Sequence, residues 1–292
     1  VYDIRISEPI PPSIYEEPSR IFAIGDIHGQ YDRMIRMLEK GKVIDSDLNW
    51  IWGDGHLVFM GDIFDRGEGV TEAMWLIYKL ERQAAESNGK VHLLLGNHEV
   101  MILNNDIRYL ANKYYCLTSN TGIEYYSLFS NKSVLGRWIR TKNSIEIIGN
   151  TMFVHAGISP DVAESGLSVD EINTLMREYL NNPADTSNAE MKNLITGNMG
   201  PVWYRGYVKS SGNYDKITQD ELDPILQKYN VDHIVIGHTE VDTITILNNQ
   251  KTIAINIPLA DKNIIEQALL IEKGRFTRIA SDMTTTALNN RP

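Results

Sequence analysis

Five short apolar runs each stop at glycine and at side chains able to bind a cation. Residues 21–24 lead into Gly25-Asp26-Ile27-His28-Gly29, residues 57–60 into Gly61-Asp62-Ile63-Phe64-Asp65-Arg66-Gly67, and residues 91–95 into Gly96-Asn97-His98-Glu99. Residues 151–154 lead into His155-Ala156-Gly157, and residues 234–236 into Gly237-His238-Thr239. One Gly-Asp pair is ordinary turn chemistry. Five such ends, which hold four of the seven histidines, are not explained that way. Carboxylates, an amide oxygen and imidazoles without thiolates suit divalent Mn, Fe or Zn. Asp26 and His28 stand two apart in a turn and can face one ion, while the two oxygens of Asp62 can bridge two. Asn97, His155 and His238 complete a second site. Two ions about 3.5–4 Å apart can hold a hydroxide and polarise a phosphoryl group for in-line displacement. Phosphate also calls for guanidinium forks, and Arg66 and Arg205 lie in glycine-rich segments.

The elements that must hold these residues follow from the same pattern. Runs of four or five β-prone residues closed by glycine read as buried strands. In α/β folds, ligands gather outside the carboxyl ends of strands. Between the runs lie helical stretches: Tyr31–Lys40, with Met34, Met37 and Leu38 on one face, and residues 70–83, with Val70, Met74, Ile77 and Leu80. The expectation is an α/β architecture with one polar mouth. Ser168 with Glu171 and Thr218 with Glu221 are capping boxes that start two more helices.

Composition sets the outer limits. With 42% hydrophobic and 23% charged residues, the 292-residue chain is globular rather than disordered. A net charge of −10 argues against nucleic acid as a partner, and against a nuclease. No apolar run reaches the length of a membrane span. The single cysteine, Cys116, excludes an intrachain disulfide and a cysteine zinc cluster. The chain starts at Val1 rather than Met, so an upstream signal peptide stays open, and either the cytoplasm or the periplasm fits. Residues 1–19, with prolines at 9, 11, 12 and 18, read as an extended lead-in. Residues 20–292 read as a single domain with a helical insertion at about 100–145, and the chain is expected to be a monomer.

The first three loops resemble the signature motifs of the phosphoprotein phosphatase family, in the same order and at spacings of 36 (Asp26 to Asp62) and 35 (Asp62 to Asn97). The run from Leu95 to Met101, continuing into Asn105-Asp106-Ile107-Arg108-Tyr109, is similar to the Shewanella-like branch of that family. The resemblance implies a calcineurin-like metallophosphoesterase fold, with two mixed β-sheets sandwiched between helices. It implies two divalent metal ions, manganese first among them, with Asp26, His28 and Asp62 on one and Asp62, Asn97, His155 and His238 on the other. It gives His98 the part of general acid, oriented by Asp65, and gives Arg66, Arg205 and Asn97 the phosphate oxygens. The implied reaction is hydrolysis of phosphomonoesters on a phosphorylated protein or peptide, phosphotyrosine favoured and phosphoserine or phosphothreonine also accepted, by attack of a metal-bridging hydroxide. A dinucleoside polyphosphate hydrolase shares the metal loops, but no dense Lys/Arg cluster is present to hold a second nucleotide. A catalytically dead phosphoprotein-binding module would be expected to lack a ligand or the acid, and every position is filled. Phe64 stands where the common eukaryotic members carry a smaller aliphatic residue, and Ala156 replaces a glycine after His155. The loop that binds toxin inhibitors in eukaryotic members has no recognisable counterpart after His238.

Specificity is expected between Glu99 and His155, where Tyr109, Tyr114, Tyr115, Tyr125, Tyr126, Phe129 and Trp138 accumulate. Most of these rings read as the core of the insertion, and some could wall a phosphotyrosine slot. Arg108 is a candidate third substrate contact, the alternative being a structural pair with Asp106. His56, His92 and His233 lie in or beside strands and read as structural. The Cys-x5-Arg loop of cysteine-dependent tyrosine phosphatases is absent, since position 122 is Gly.

Overall fold

β-Branched and aromatic runs pair into two six-stranded mixed sheets. The computed structural model describes residue 4 and residues 7–289, so residues 1–3, 5 and 6 of the expected lead-in lie outside the described residues. In chain order the strands are β1 (Ile14–Tyr15), β2 (Ile21–Ile24), β3 (His56–Phe59), β4 (Lys90–Leu93), β5 (Ile145–Ile148), β6 (Thr151–Val154), β7 (His233–Ile236), β8 (Thr245–Leu247), β9 (Thr252–Ala254), β10 (Gln267–Glu272), β11 (Arg275–Ala280) and β12 (Thr285–Ala287). One sheet has the order β1-β5-β6-β7-β9-β8, the other β12-β11-β10-β2-β3-β4. The helices are α1 (Tyr31–Lys40), α2 (Val70–Glu86), α3 (Asn97–Leu103), α4 (Asn112–Thr121), α5 (Val134–Ile139), α6 (Pro160–Glu164), α7 (Val169–Asn181), α8 (Ala189–Thr196) and α9 (Gln219–Tyr229). Two mixed sheets flanked by helices are what the sequence led us to expect.

Strand alternation explains the layering. Ile21 and Ala23 of β2 share a core with Val58, Phe153, Val235, Ile253 and Leu269 from both sheets. The intervening Phe22 and Ile24 belong to a second core, with Met34, Met37 and Leu38 of α1 and Val70, Met74 and Ile77 of α2. A period of two thus sends one face of each strand against the opposite sheet and the other against helices. Parallel β2, β3 and β4 of one sheet, and parallel β6 and β7 of the other, bring five carboxyl ends to the mouth.

Boundaries differ from the sequence expectation where burial continues. The helix expected over 70–83 runs on to Glu86, with Ala84 still buried. Ile14 and Tyr15, inside the expected lead-in, add an edge strand parallel to β5. The C-terminal meander of β10, β11 and β12 carries no motif that foretold it. Both capping boxes are present at α7 and α9.

One ion network ties α1 to this meander. Glu266 accepts from Arg33 Nε at 2.8 Å and Arg36 Nη2 at 2.7 Å, and from the Ser281 hydroxyl. Burial raises the Glu266 carboxyl, but the Ser281, Arg36 and Arg33 hydrogen bonds outweigh it and bring it down to about 2 from an ordinary 4.5. With the folded value depressed, the stabilisation is fully present above pH 4.5 and fades as pH falls toward 2. Glu266→Gln is expected to lose about 2 kcal/mol at pH 7, the scale of charge-assisted hydrogen bonds. Urea melts should show that deficit shrinking below pH 4.5, and a deficit independent of pH would contradict it.

Candidate active site

The five strand ends are stitched together through backbone groups before any side chain is considered. Ile27 and His28 N–H donate to the Asp62 carbonyl at 3.1 and 2.7 Å, and Gly29 N–H to the Ile63 carbonyl at 2.9 Å. Gly237 N–H donates to the His155 carbonyl at 2.8 Å, and His238 N–H to Asp26 Oδ1 at 3.1 Å. A Cβ on Gly96 would collide with Asp62 Oδ1, so only glycine lets the second and third loops approach this closely. His28, Asp62, Asp65, Arg66 and His238 all have φ between 45° and 69°. Five non-glycine residues in left-handed backbone, gathered at one mouth, mark strain held by the surrounding hydrogen bonds.

The imidazoles are oriented by carbonyls. His28 Nδ1–H donates to the Phe64 carbonyl at 2.9 Å and His155 Nδ1–H to the Met60 carbonyl at 2.7 Å. Each therefore turns Nε2 inward, the tautomer that carbonyl-anchored metal ligands use. His28 Nε2 stands 3.6 Å from Asp62 Oδ2 and His155 Nε2 3.3 Å from the same oxygen. His155 Nε2 is also 3.1 Å from Asn97 Oδ1. Three lone-pair atoms thus face one another, and only a proton or a metal cation among them relieves the repulsion. Nearby, His238 Nε2 is buried and bonded to nothing. Asp62, His155 and His238 form one group able to hold an ion, and His28, Asp62 and His98 another. The residues present fit divalent metal.

The fields in the site are strong. Burial opposes charge on Asp62, but His155, His98 and His28 overcome it and hold the carboxyl well below the usual range. Burial also opposes charge on His155, yet Asp62 and Asp26 push it up to about 9. Asp26 is pushed up to about 7 by burial, with Asp62 adding to it against His155. Burial brings His28 down to about 3, and burial, His155 and Arg205 lower His238.

His98 differs from His28 and His155 in being held by a carboxylate. Its Nδ1–H donates to Asp65 Oδ2 at 2.6 Å, and its Nε2 is 3.9 Å from Asp62 Oδ2. Burial lowers its basicity, but Asp62 and Asp65 more than reverse this and raise the imidazole above its ordinary range. Arg205 reaches the site because Pro201 accepts from Ala156 N–H at 2.9 Å, docking its loop on that of His155. Its Nη1 donates to the His238 carbonyl at 3.2 Å. Arg66 lies at the rim, 3.5 Å from Glu240. Arg108 is forked onto Asp106, so the structural pair weighed for it is present, with its guanidinium 5.8 Å from the Tyr109 ring.

The aromatic segment divides. Tyr114, Tyr125, Phe129 and Trp138 are buried in the insertion, and Phe64 packs edge-on to Phe129 at 4.7 Å, which accounts for a large residue at 64. Tyr109 is different: half exposed, its ring centroid lies 5.3 Å from that of His98. His56 and His92 join Glu146 in a buried network between strands, in keeping with a structural part.

The chain matches the calcineurin-like phosphoesterase family over residues 19–242. It belongs to that family. Membership implies divalent metal ions, which the Asp and His groups could hold. This phosphoesterase has the fold of a cold-active protein-tyrosine phosphatase of a psychrophilic Shewanella species, at TM-score 0.89 and 38% identity over 96% of this chain and 83% of that one. Shewanella-like protein phosphatase 1 of Plasmodium berghei (strain Anka) is 30% identical over 75% of this chain and 61% of that protein. Shewanella-like protein phosphatase 2 of Arabidopsis thaliana is 25% identical over 84% and 73% respectively. The chain therefore spans less than two thirds of the Plasmodium relative. Among the described residues no helix is long and apolar enough to cross a membrane.

Two residues of this site have no marked role in the sequence pattern. Asn256 donates to Asp26 Oδ2 at 2.6 Å from a segment that follows β9 and carries no motif. Glu99 is visible only as the end of Gly96-Asn97-His98-Glu99. Its buried carboxylate accepts from the N–H groups of Asp62, Ile63 and Gly96, each at 2.7 Å, and from Phe64 at 3.3 Å. Glu99→Gln turns one acceptor oxygen into a donor facing backbone N–H groups, so a loss of about 3 kcal/mol in stability is expected. Metal affinity should fall roughly 10- to 100-fold, as when outer hydrogen-bond partners of metal ligands are removed. Denaturant melts with metal titration check both, and an unchanged metal affinity would show that Glu99 does not position Asp62.

Proposed function

We propose that this phosphoesterase hydrolyses phosphomonoesters on proteins, phosphotyrosine first among them, with two divalent ions, manganese the leading choice. The reading rests on one observation: His155 Nε2 lies 3.3 Å from Asp62 Oδ2 and 3.1 Å from Asn97 Oδ1, beside a buried His238 Nε2 with no hydrogen-bond partner among the described residues. Asp26, His28 and Asp62 would hold one ion, and Asp62, Asn97, His155 and His238 the other. When bound, the ions supply Lewis acidity, offsetting phosphoryl charge and acidifying water.

The remaining steps fall to this chain's own groups. Arg66 and Arg205 clamp the phosphoryl oxygens with their forks, and Asn97 adds an amide contact. The Arg66 fork is exposed and, among the described residues, paired with rim Glu240 alone, a contact that a dianion can replace. His98 keeps its proton through Asp65 and Asp62, and delivers it from Nε2 to the departing oxygen. Asp65 fixes the ring by its bond to Nδ1. Tyr109, beside His98 and exposed, offers a flat wall where an aromatic leaving group would lie. The Shewanella protein named as a protein-tyrosine phosphatase supports the same preference.

Manganese-loaded protein assayed on phosphotyrosine, phosphoserine and phosphothreonine peptides and on diadenosine tetraphosphate tests the reading. Phosphate release is expected from the peptides, fastest from phosphotyrosine, and release from none of them would sink it. His98→Asn is expected to lower kcat by about 10²- to 10⁴-fold, the usual worth of a general acid. Elemental analysis should find its metal content unchanged, and metal loss would move His98 into the ligand set.

A further inference from the structure

A cavity of about 610 Å³ that shares no lining residue with the metal cluster is bordered by Arg137, Arg140 and Arg177. Arg137 lies on α5, Arg140 closes that helix, and Arg177 comes from α7. A guanidinium carries five N–H donors. Arg137 donates to the Lys132 carbonyl at 3.2 Å, Arg140 to the Leu180 carbonyl, and Arg177 to Asn143 Oδ1 and Thr174 Oγ1. The Nε–H groups of Arg137 and Arg140 are buried and have no hydrogen-bond partner among the described residues. Among the described residues none of the three makes an ion pair. The lining also holds two carboxylates, Glu8, which accepts from the Tyr78 hydroxyl at 2.9 Å, and Glu178, 3.8 Å from Lys192, so three guanidinium groups leave it net positive.

Carbonyl oxygens accept hydrogen bonds without neutralising a cation. Burial alone shifts Arg140, lowering its basicity with no carboxylate field to restore it. For Arg177 burial outweighs the opposing field of Asp170. Three half-buried cations around one cavity, none in an ion pair among the described residues, favour an anion that joins them. A tetrahedral dianion offers enough oxygens for forks arriving from α5, from the C-terminal end of α5 and from α7. The cavity is also larger than a phosphate group, which leaves room for an organic body beside Ile10.

We propose that this cavity is a second oxyanion site, in which Arg137, Arg140 and Arg177 bind a phosphate-bearing small molecule apart from the Arg66 and Arg205 clamp. The site does not depend on the hydrolysis reading, since no residue is shared. Equilibrium dialysis of the manganese-loaded full chain with labelled inorganic phosphate, and separately with phenylphosphonate, tests it. Tighter binding of phenylphosphonate would assign the site to an organic phosphate, and equal binding to free phosphate. The expected result is a binding event that survives Arg66→Ala and weakens at least tenfold in Arg137→Gln and in Arg140→Gln, with phosphopeptide turnover unchanged in Arg137→Gln. Should Arg140→Gln fail to fold, Arg137→Gln still decides, because its side chain gives up a single hydrogen bond to the protein. Binding lost in Arg66→Ala, or undiminished in Arg137→Gln, would overturn the proposal.

Discussion

Glu99 joins the second and third ligand loops through a single carboxylate. Its two oxygens take backbone N–H groups from Asp62, Ile63 and Phe64 on one side and Gly96 on the other. Asp62 is thereby fixed at both ends, because His98 N–H also donates to its Oδ1 at 2.9 Å. The arrangement buries like charges close together, and burial with Asp62 nearby raises the Glu99 carboxyl. Such crowding of acids is tolerable only where positive charge is supplied in return. The histidines and the N–H groups supply part of it, and a cation held by Asp62, His155 and His238 could supply more.

The double sheet is what makes this crowding possible. Ligands on one sheet would lie along a line of strand ends. Here Asp26, Asp62 and Asn97 follow β2, β3 and β4, while His155 and His238 follow β6 and β7 of the facing sheet. Two converging edges surround a point from opposite sides. The cost is backbone strain, seen as left-handed φ at five functional positions, and the hydrogen bonds between loops hold it in place. Glycines 29, 61, 67 and 96 permit the close passage of those loops.

The helical segment between α3 and β5 shows how one large residue can couple two regions. Phe64, between Asp62 and Asp65, packs against Phe129 and Tyr125. Phe64 thus roots the loop that carries Asp65 and Arg66 in the core of the helical segment between α3 and β5. Tyr114, Tyr125, Phe129 and Trp138 serve that core, which leaves Tyr109 as the ring beside His98.

Local pattern was enough for the strand ends, the two amphipathic helices and the capping boxes, because periodicity and glycine placement act over a few residues. The same loops named Asp26, His28, Asp62, Asn97, His98, His155 and His238 as a group, since chemistry-bearing types repeated at one kind of position. Other features depend on partners far apart in sequence. Glu99 reaches back 37 residues to the Asp62 N–H, and Asn256 spans 230 to Asp26. The edge strand at Ile14 and Tyr15, the C-terminal meander and the Arg137, Arg140 and Arg177 cavity have no local signature at all. A short-range pattern fixes which residues are offered at a loop. Only packing of two sheets and their helices decides which oxygen faces which nitrogen, and which cation is left without a partner.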